Sequence, residues 1–406
     1  MEGVASDGCS SALVTFFMES FLKQSLSDLD QKGLRRHLRS VEGAQRPRIT
    51  IDGRSVLNFC SNNYLGLADD PRLKEAAIKA IQETGVGSGA SRLVCGNMTA
   101  HERLERKLAD FKKTEAALCF TSGYMANVGV ISSLFEKGDI IFWDRLDHAS
   151  IIDGILLSGA EHRRYPHNDM EALEKFLSEA VTFKKKCIIT DTVFSMDGDI
   201  APLPAIVKLA QKYNSWVMVD EAHAFGVLGH SGRGAVEHFQ LEGQVDIQMG
   251  TFSKAIGSLG AYVAGSKSLI EFLINRARSF IYTTAMPASV AATSLKAIEI
   301  MESEPVLREK LWFNMTYMLN EIKKSGFDTL QTQTPIIPIL VKDPQKCVEF
   351  SKRLLEQGIF ISAIRPPTVA PNTARLRLTV MATHTKEDLD HTLNCLRTIG
   401  QDLCLI

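Results

Sequence analysis

One lysine lies in an apolar, hydroxyl-rich context that suits carbonyl chemistry. The stretch Met249–Ile256, with the sequence MGTFSKAI, ends an apolar run and places Lys254 among small, hydroxyl-bearing and aliphatic residues. A lysine attacks a carbonyl carbon only when its amine is unprotonated, and burial lowers its pKa towards that state. Lys254 is therefore a candidate nucleophile, with a solvated surface lysine as the alternative.

A carboxylate and an imidazole follow a second apolar run. Asp220 comes directly after Trp216–Val219, and His223 comes three residues later. Ligands of open α/β sheets bind beyond the carboxyl ends of the strands. Asp220 and His223 are therefore candidates for contacting a ligand, although a helix cap or a surface ion pair would give Asp220 the same pattern.

A turn that contains hydroxyl groups and a glycine follows a third apolar run. Thr121–Asn127, with the sequence TSGYMAN, comes directly after Ala116–Phe120 and opens a helical pattern. The N-terminus of a helix presents free N–H groups to an anion such as phosphate. Strand-turn-helix junctions without a ligand share this pattern, so the turn alone does not establish a phosphate site.

A glycine-rich segment elsewhere is set aside. Gly85–Ala90 fits the loose GxGxxA pattern of dinucleotide-binding turns, which requires a preceding strand. The residues before it, Pro71–Glu83, have the spacing of an amphipathic helix. We therefore predict no nicotinamide site at this segment.

The residues that could do chemistry follow short apolar runs that alternate with amphipathic stretches. This alternation predicts an α/β fold with a mostly parallel sheet and helices on both faces. The predicted strands are Ala116–Phe120, Ile140–Trp143, Cys187–Thr190, Trp216–Val219, Val245–Met249 and Ala261–Ala264.

Three regions are distinguished by their patterns along the 406 residues. Residues 1–57 are predicted to form a helical arm and a hairpin with an Asp-Gly turn. Residues 58–304 are predicted to form a large α/β domain. In residues 305–406 the regular alternation of strand and helix patterns ends, and these residues are predicted to form a smaller α+β domain.

The bulk composition argues against several classes of partner. The net charge is −1, so no basic surplus would neutralise a nucleic-acid backbone. No apolar run reaches the roughly 18 residues that span a bilayer, and the apolar stretch 12–22 has no preceding basic segment typical of a signal peptide. The eight cysteines form no CxxC pair, which favours reduced thiols over a metal site. We expect a cytoplasmic protein without a bound metal.

Taken together, these segments resemble the α-oxoamine synthases, which are fold-type I enzymes that depend on pyridoxal 5'-phosphate (PLP). The resemblance rests on Asp220–His223, on Thr251–Lys254 and on Phe194–Asp199, with the sequence FSMDGD. Leu57–Leu67 and Asp144–Ser150 extend it over nearly the whole chain. It implies a large PLP-binding domain with a mostly parallel seven-stranded sheet and a smaller α+β C-terminal domain.

The resemblance also implies a role for each candidate at the cofactor. Lys254 would form the Schiff base and move the substrate's α-proton, Asp220 would keep the pyridine nitrogen protonated, and His148 would stack on the ring. The further cofactor-binding residues that it implies are His223 and Ser195 near the ring hydroxyl, Gly123, Tyr124 and Thr251 near the phosphate, and Thr283 and Thr284 near the phosphate of a neighbouring subunit.

An arginine would hold the carboxylate of an amino-acid substrate. Arg375 and Arg377 alternate along one predicted strand and therefore share a face, and a guanidinium is a planar, charged fork. By resemblance, Arg377 is the clamp, with a surface strand of solvated arginines as the alternative. Arg35, Asn62 and Thr368 are implied as contacts of the substrate or its acyl chain.

The family joins an amino acid to an acyl thioester with loss of CO2. Gly87–Asn97, Ile364–Val369 and Thr373–Thr379 are most like members that use L-alanine and pimeloyl-CoA, or a pimeloyl-carrier protein, in biotin biosynthesis. Ile151–Gly154 keeps glycine C-acetyltransferase open, because one methyl group changes selectivity by only about 1–3 kcal/mol. Another acyltransferase of the family, an aminotransferase and an inactive structural subunit are further alternatives. The resemblance implies a homodimer with shared active sites.

Overall fold

The computed structural model describes residues 10–31, 34–36 and 38–406, with side chains from residue 17 onward. It comprises two units, one made of residues up to 42 together with 50–53 and the other of residues 43–49 together with 54–406. Arg35 lies in the first unit, and every residue predicted at the cofactor lies in the second.

The first unit contains a helix and a pair of short strands. Helix α1 spans Ser10–Gln31, strand β1 spans Val41–Glu42 and strand β2 spans Arg48–Ile51, of which Thr50 and Ile51 belong to this unit. β1 pairs antiparallel with the end of β2. Asp52 and Gly53 follow with φ values of 51° and 74°, which is the left-handed geometry that an Asp-Gly turn favours.

A mostly parallel seven-stranded sheet is the largest sheet of the second unit. Strands β3 to β10 span, in order, Arg54–Asn58, Ala116–Phe120, Ile140–Asp144, Glu161–Tyr165, Lys186–Asp191, Trp216–Asp220, Ile247–Thr251 and Ala261–Gly265. All of these except β3 form the sheet, in the order β4-β10-β9-β8-β7-β5-β6. β10 runs antiparallel to both neighbours, and the other pairs are parallel. The predicted α/β fold is confirmed.

Two strands of this sheet differ from the sequence-based prediction. The apolar pattern does not predict β6, because its sequence EHRRY is polar. β6 is an edge strand that pairs only with β5, so it needs less apolar surface than a central strand. The pattern places β9 at 245–249, whereas pairing with β10 carries the strand on to Gly250 and Thr251.

Both faces of the sheet are covered, which explains the continuous apolar runs. In β8, Val217 and Val219 belong to one buried cluster and Met218 belongs to another, because successive strand residues point to opposite faces. Burying one such side chain contributes about 1.5–3 kcal/mol. The carboxyl ends of these anchored strands are therefore rigid positions for functional groups.

The helices of the second unit follow the strands with recognisable start signals. Ser122 caps α4 by accepting a hydrogen bond from the N–H of Met125 at 3.2 Å, and Thr385 and Asp388 form a capping box at the start of α14. Helices α2 to α14 span, in order, Pro71–Thr84, Thr99–Lys112, Gly123–Leu134, Ala149–Ser158, Met170–Glu179, Leu203–Tyr213, Ala235–His238, Lys267–Arg276, Arg278–Ile281, Ala288–Ser303, Pro305–Lys324, Pro344–Glu356 and Lys386–Asp402. Within the described ranges, no helix has the length and apolarity to cross a membrane.

A second, smaller sheet is formed by the C-terminal residues. Its strands β11 (Ile336–Lys342), β13 (Ser362–Ile364) and β14 (Ala374–Thr379) pair antiparallel in the order β11-β14-β13. The short strand between them, β12 (Ile359–Phe360), pairs instead with β3 in parallel. β12 and β13 are consecutive in the sequence and belong to different sheets. The predicted domain boundaries remain a prediction.

Candidate active site

The carboxyl ends of β5, β7, β8 and β9 and the start of α4 surround a cavity of about 200 Å³. The chain reversal after each parallel strand brings polar residues from separate segments to this one edge of the sheet. The cavity is lined by Gly123, Tyr124, Asn127, His148, Ser150, Asp191, Ser195, Asp220, Ala222, His223, Met249, Thr251, Ser253 and Lys254. Eight of the residues predicted at the cofactor therefore meet in one place.

Lys254 lines this cavity and is half-buried. Burial lowers the pKa of Lys254, the carboxylates of Asp220 and Asp191 oppose that shift, and the charge of Arg377 adds to it. The net effect is a larger neutral fraction than a surface lysine has, which is the state that attacks a carbonyl carbon. The alternative of a solvated surface lysine does not fit this position.

Asp220 ends β8 and is held by two hydrogen bonds. Its Oδ1 accepts from the N–H of Ala222 at 2.8 Å, and its Oδ2 accepts from Nδ2 of Asn127 at 2.8 Å. Asp220 is 4% exposed and Asn127 is 1% exposed. Both bonds hold the carboxylate oxygens in a fixed position, as a partner of a protonated ring nitrogen requires.

Asn127 is a residue of the site that the sequence analysis does not single out. It lies one turn into α4, within the segment predicted to bind phosphate, and its Nδ2 also donates to Oγ of Ser150 at 2.9 Å. Its Oδ1 is buried without a hydrogen-bond partner among the described residues. In the sequence, Asn127 is marked only as a polar residue near the start of a predicted helix.

His223 is hydrogen-bonded to a tyrosine that lies 159 positions earlier in the sequence. Nδ1 of His223 and the hydroxyl oxygen of Tyr64 lie 2.7 Å apart, and both side chains are buried. Burial lowers the pKa of His223 well below its usual value, and the charges of Lys254, Arg377 and His148 add to this. Burial also raises the pKa of Tyr64 to about 12. At neutral pH the pair is therefore uncharged.

His148 is held at the start of α5 by its backbone and its ring. Its N–H donates to Oδ2 of Asp191 at 2.9 Å, and its Nδ1 lies 2.8 Å from Oγ of Ser150. The Asp191 N–H in turn donates to Oδ1 of Asp147 at 2.8 Å. Burial raises the pKa of Asp191 well above its usual value, with the charge of Asp220 adding to the effect. These contacts fix the imidazole at the wall of the cavity.

The predicted phosphate side combines the start of α4 with the end of β9. Gly123 and Tyr124 are the first residues of α4, and both line the cavity. Oγ1 of Thr251 donates to the carbonyl of Gly260 at 2.7 Å, so this hydroxyl also fixes the loop that follows β9. The free N–H groups of the first turn of α4 provide the anion-binding capacity.

The guanidinium of Arg377 is anchored by three hydrogen bonds. Nε donates to the carbonyl of Ser195 at 2.6 Å, Nη1 to Oγ1 of Thr379 at 2.9 Å and Nη2 to Oδ1 of Asn62 at 3.1 Å. A guanidinium has five N–H donors, so one on each Nη remains for a carboxylate. Arg375 on the same strand is instead paired with Asp197. Both arginines are buried, so the alternative of a solvated arginine strand is wrong.

Besides Arg377 and Asn62, which contact the cavity through Ser195 and Arg377 respectively, four predicted residues do not line it. Thr283 and Thr284 line a separate, much smaller cavity together with Arg92. Thr368 is exposed, and its N–H donates to the carbonyl of Arg365 at 3.1 Å. Arg35 forms an ion pair with Asp30 inside the first unit. The roles of these residues remain predictions.

The described residues suit PLP chemically. The lysine offers a partly neutral amine to an aldehyde, the β8 carboxylate suits a protonated pyridine nitrogen, and the start of α4 suits a phosphate. The fold and this set of side chains together define a fold-type I PLP-dependent enzyme.

A comparison with protein-family profiles supports this class. The family described as aminotransferase class I and II matches residues 54–396. The chain belongs to this family. The predicted resemblance to the α-oxoamine synthases is confirmed by the relatives and structures that it matches.

Curated relatives match the chain over nearly its full length. It is 52% identical over 387 residues to the 8-amino-7-oxononanoate synthase of Thermoanaerobacter pseudethanolicus, which covers 95% of this chain and 98% of the relative. It is 48% identical over 387 residues to the 8-amino-7-oxononanoate synthase of Bacillus pumilus, which covers 95% of this chain and 99% of the relative.

Solved structures match the fold with the same breadth. A serine palmitoyltransferase from S. paucimobilis with a bound PLP–myriocin aldimine superimposes with a TM-score of 0.90 at 33% identity, covering 95% of this chain and 98% of that one. An 8-amino-7-oxononanoate synthase from Francisella tularensis superimposes with a TM-score of 0.74 at 30% identity, covering 86% of this chain and 98% of that one.

Proposed function

We propose that the chain joins L-alanine to a pimeloyl thioester, either pimeloyl-CoA or a pimeloyl-carrier protein. The products are 8-amino-7-oxononanoate, CO2 and the free thiol, and the reaction serves biotin biosynthesis. The cofactor is PLP, in agreement with the family, the PLP-bound structural neighbours and the side chains of the site. Relatives named for this product, about half identical over their full length, support the choice of reaction.

The observation that carries the proposal is that Arg377 is hydrogen-bonded to a residue that lines the cavity of Lys254. Ser195 lines the cavity that contains Lys254, and its carbonyl accepts a hydrogen bond from Nε of Arg377 at 2.6 Å. A small amino acid placed between them would have its carboxylate at Arg377 and its α-carbon towards Lys254. The clamp selects an amino acid, and the lysine provides a base for its α-proton.

Each side chain then has a definite task. The free N–H groups on Nη1 and Nη2 of Arg377 bind the carboxylate of alanine, and Asn62 and Ser195 keep the fork in its orientation. Lys254 takes the α-proton and later returns a proton to the same carbon. Asp220 holds the proton of the ring nitrogen. PLP, when bound, supplies the electron sink for the loss of the α-proton and of CO2.

The substrate assignment is tested by a matrix of amino acids and thioesters. Alanine, glycine and serine are each combined with acetyl-, succinyl-, pimeloyl- and palmitoyl-CoA, and free thiol is measured for the PLP-loaded protein and for Lys254→Ala. Alanine with pimeloyl-CoA should give the highest kcat/KM. If glycine with acetyl-CoA gave the highest kcat/KM, the protein would be a glycine C-acetyltransferase and the proposal would be wrong. Amine transfer without thiol release would indicate an aminotransferase, and no PLP uptake would indicate a structural subunit.

A homodimer with shared active sites is part of the proposal. Thr283 and Thr284 lie away from the cavity of their own chain, which leaves them available to the phosphate of a second copy. Mixed dimers of Lys254→Ala and Thr284→Ala chains test this arrangement. If the sites are shared, each mixed dimer contains one site with both substitutions and one intact site, so activity returns on mixing. If each chain completes its own site, mixing restores nothing.

A further inference from the structure

The hydrogen bond between Tyr64 and His223 has a defined direction. The two atoms, the Tyr64 hydroxyl oxygen and Nδ1 of His223, lie 2.7 Å apart, which is the normal length of a strong neutral bond. Tyr64 is 1% exposed and His223 is 8% exposed. Water therefore does not compete for either group, and the proton on this bond belongs either to the tyrosine or to the imidazole.

The surroundings assign that proton to the tyrosine. A neutral imidazole carries one proton, and its two nitrogens have opposite roles. The only other acceptor that the described residues place near the Tyr64 hydroxyl is Oδ1 of Asn62, at 3.5 Å, and that oxygen already accepts from Nη2 of Arg377 at 3.1 Å. The Tyr64 hydroxyl therefore donates to Nδ1 of His223, because the long contact to Asn62 is a poor alternative.

A donated bond at Nδ1 fixes the imidazole as the Nε2–H tautomer. Burial lowers the pKa of His223 well below its usual value, and the charges of Lys254 and Arg377 add to this, so a second proton on the ring is disfavoured. His223 lines the cavity, and Nε2 has no hydrogen-bond partner among the described residues. The imidazole thus has one N–H, on the nitrogen that remains for a ligand.

We propose that Tyr64 is a positioning residue that keeps the proton of His223 on Nε2. The imidazole can then donate a hydrogen bond to the hydroxyl oxygen on the pyridine ring of the bound cofactor, called the ring oxygen below. The proposal rests on the cofactor of the proposed function and goes beyond it by assigning a proton. Without the tyrosine hydroxyl, Nδ1 loses its donor, and the proton is shared between the two nitrogens. The ring oxygen then loses part of its hydrogen bond.

The first test measures the tautomer itself. The full chain, labelled with ¹⁵N in its histidine rings, is studied by NMR before and after loading with PLP, and the His223 signals are assigned by their loss in His223→Asn. In the wild-type protein the proton should be on Nε2 in both states. A wild-type spectrum with the proton on Nδ1 would overturn the proposal, whatever any variant does. The measurement without PLP holds even if the proposed reaction is wrong.

The second test uses Tyr64→Phe, which removes only the hydroxyl. His223 should show a mixture of tautomers. The pH at which the visible absorbance of the bound cofactor changes should rise. At high pH the Schiff-base nitrogen loses its proton and no longer donates a hydrogen bond to the ring oxygen. The hydrogen bond from His223 stabilises this deprotonated form, so weakening that bond moves the transition to higher pH. A rise of about one pH unit is expected for the loss of one hydrogen bond to a charged oxygen.

A matched control separates this effect from packing. Tyr262 is fully buried, and its hydroxyl has no hydrogen-bond partner within the described part of the chain. Tyr262→Phe should therefore leave both the His223 tautomer and the absorbance transition unchanged. Equal shifts in the two variants would overturn the proposal, as would a Tyr64→Phe protein that keeps the wild-type tautomer and transition.

Discussion

Nδ2 of Asn127 lies 2.8 Å from Oδ2 of Asp220, so one buried hydrogen bond joins two residues that are 93 positions apart in the sequence. Asn127 comes from the first turns of α4 and Asp220 from the end of β8. A hydrogen bond between buried groups acts at a low local dielectric, where an unmade bond is costly. The helix whose N-terminus we propose for the phosphate therefore also orients the carboxylate that we propose as the partner of the ring nitrogen.

Replacing this asparagine should weaken the cofactor site without unfolding the protein. In Asn127→Ala, Asp220 keeps only the bond from the N–H of Ala222, so PLP affinity and kcat should each fall by about tenfold, the effect of one lost hydrogen bond to a charged group. PLP binding is measured by absorbance titration. The exposed Asn275 gives a control, and Asn275→Ala should behave as wild type. An unchanged PLP affinity in Asn127→Ala would show that Asp220 needs no such support.

Removing the lysine should abolish turnover and covalent attachment of the cofactor. Among the described residues that line the cavity, Lys254→Ala leaves no lysine amine to bind the aldehyde or to move the α-proton. After borohydride reduction of the PLP-treated protein, mass spectrometry should find the added cofactor mass on Lys254 in the wild type and nowhere in the variant. Lys267→Ala, at an exposed lysine, should keep the label and the activity. A label that persists in Lys254→Ala would place the reactive amine elsewhere.

Removing the arginine fork should separate substrate binding from cofactor binding. Arg377→Ala should raise KM for alanine by about ten- to a hundredfold, as expected for the loss of a charge-assisted pair. PLP should still bind, because Lys254 and Asp220 are unchanged. Arg377→Lys should recover little, because an ammonium cannot replace a planar fork. Arg353→Ala, at a surface ion pair with Asp402, serves as the control. An unaltered KM for alanine in Arg377→Ala would exclude Arg377 as the clamp.

A histidine between two carboxylates should make stability depend on pH. Nδ1 of His167 lies 2.9 Å from Oδ1 of Asp144, and its Nε2 lies 2.8 Å from Oδ2 of Asp199. Burial alone would lower the pKa of His167, but these two hydrogen bonds outweigh it and raise the pKa to about 9. The protonated form is therefore favoured by folding. Its stabilising contribution is complete below the ordinary histidine pKa of about 6.5 and is lost as the pH rises through 9.

This contribution is measured by urea unfolding of the wild type and of His167→Gln. The difference in unfolding free energy should be largest near about pH 6, on the order of 3 kcal/mol, and should shrink by about pH 10. His391→Gln, at an exposed histidine, should show no such trend. A His167→Gln difference that is constant across this range would mean that His167 is not charged in the folded protein.

Much of the fold could be predicted because buried parallel strands are continuous apolar runs. Six of the seven strands of the main sheet coincide with predicted strands, apart from shifted ends. β6 could not be predicted in this way, because an edge strand with the sequence EHRRY lacks that signal. The end of β9 was also outside the pattern, because Gly250 and Thr251 join the strand only through pairing with β10.

The candidate site could be predicted where a side chain follows a strand, and not where it acts through a distant partner. Asp220 comes directly after an apolar run, and His223 and Lys254 follow the ends of such runs within three to five residues, so the sequence pattern marks all three. Tyr64 contacts His223 across 159 positions, and Asn127 contacts Asp220 across 93 positions. No local sequence pattern predicts these contacts. Hydrogen-bond partners of this kind are determined by the three-dimensional fold.

The position of β10 has a consequence for how a newly made chain acquires this site. β4 has only β10 as a neighbour in its sheet, and Phe120 pairs with Ala261, a residue that leaves the ribosome about 140 residues later. Until then β4, which precedes the turn proposed to bind phosphate, has no partner among the strands of the described sheet, and its unpaired edges expose the nascent chain to misassociation. Chains that stop before residue 261 would emerge with most of their apolar strands and without a completed pocket.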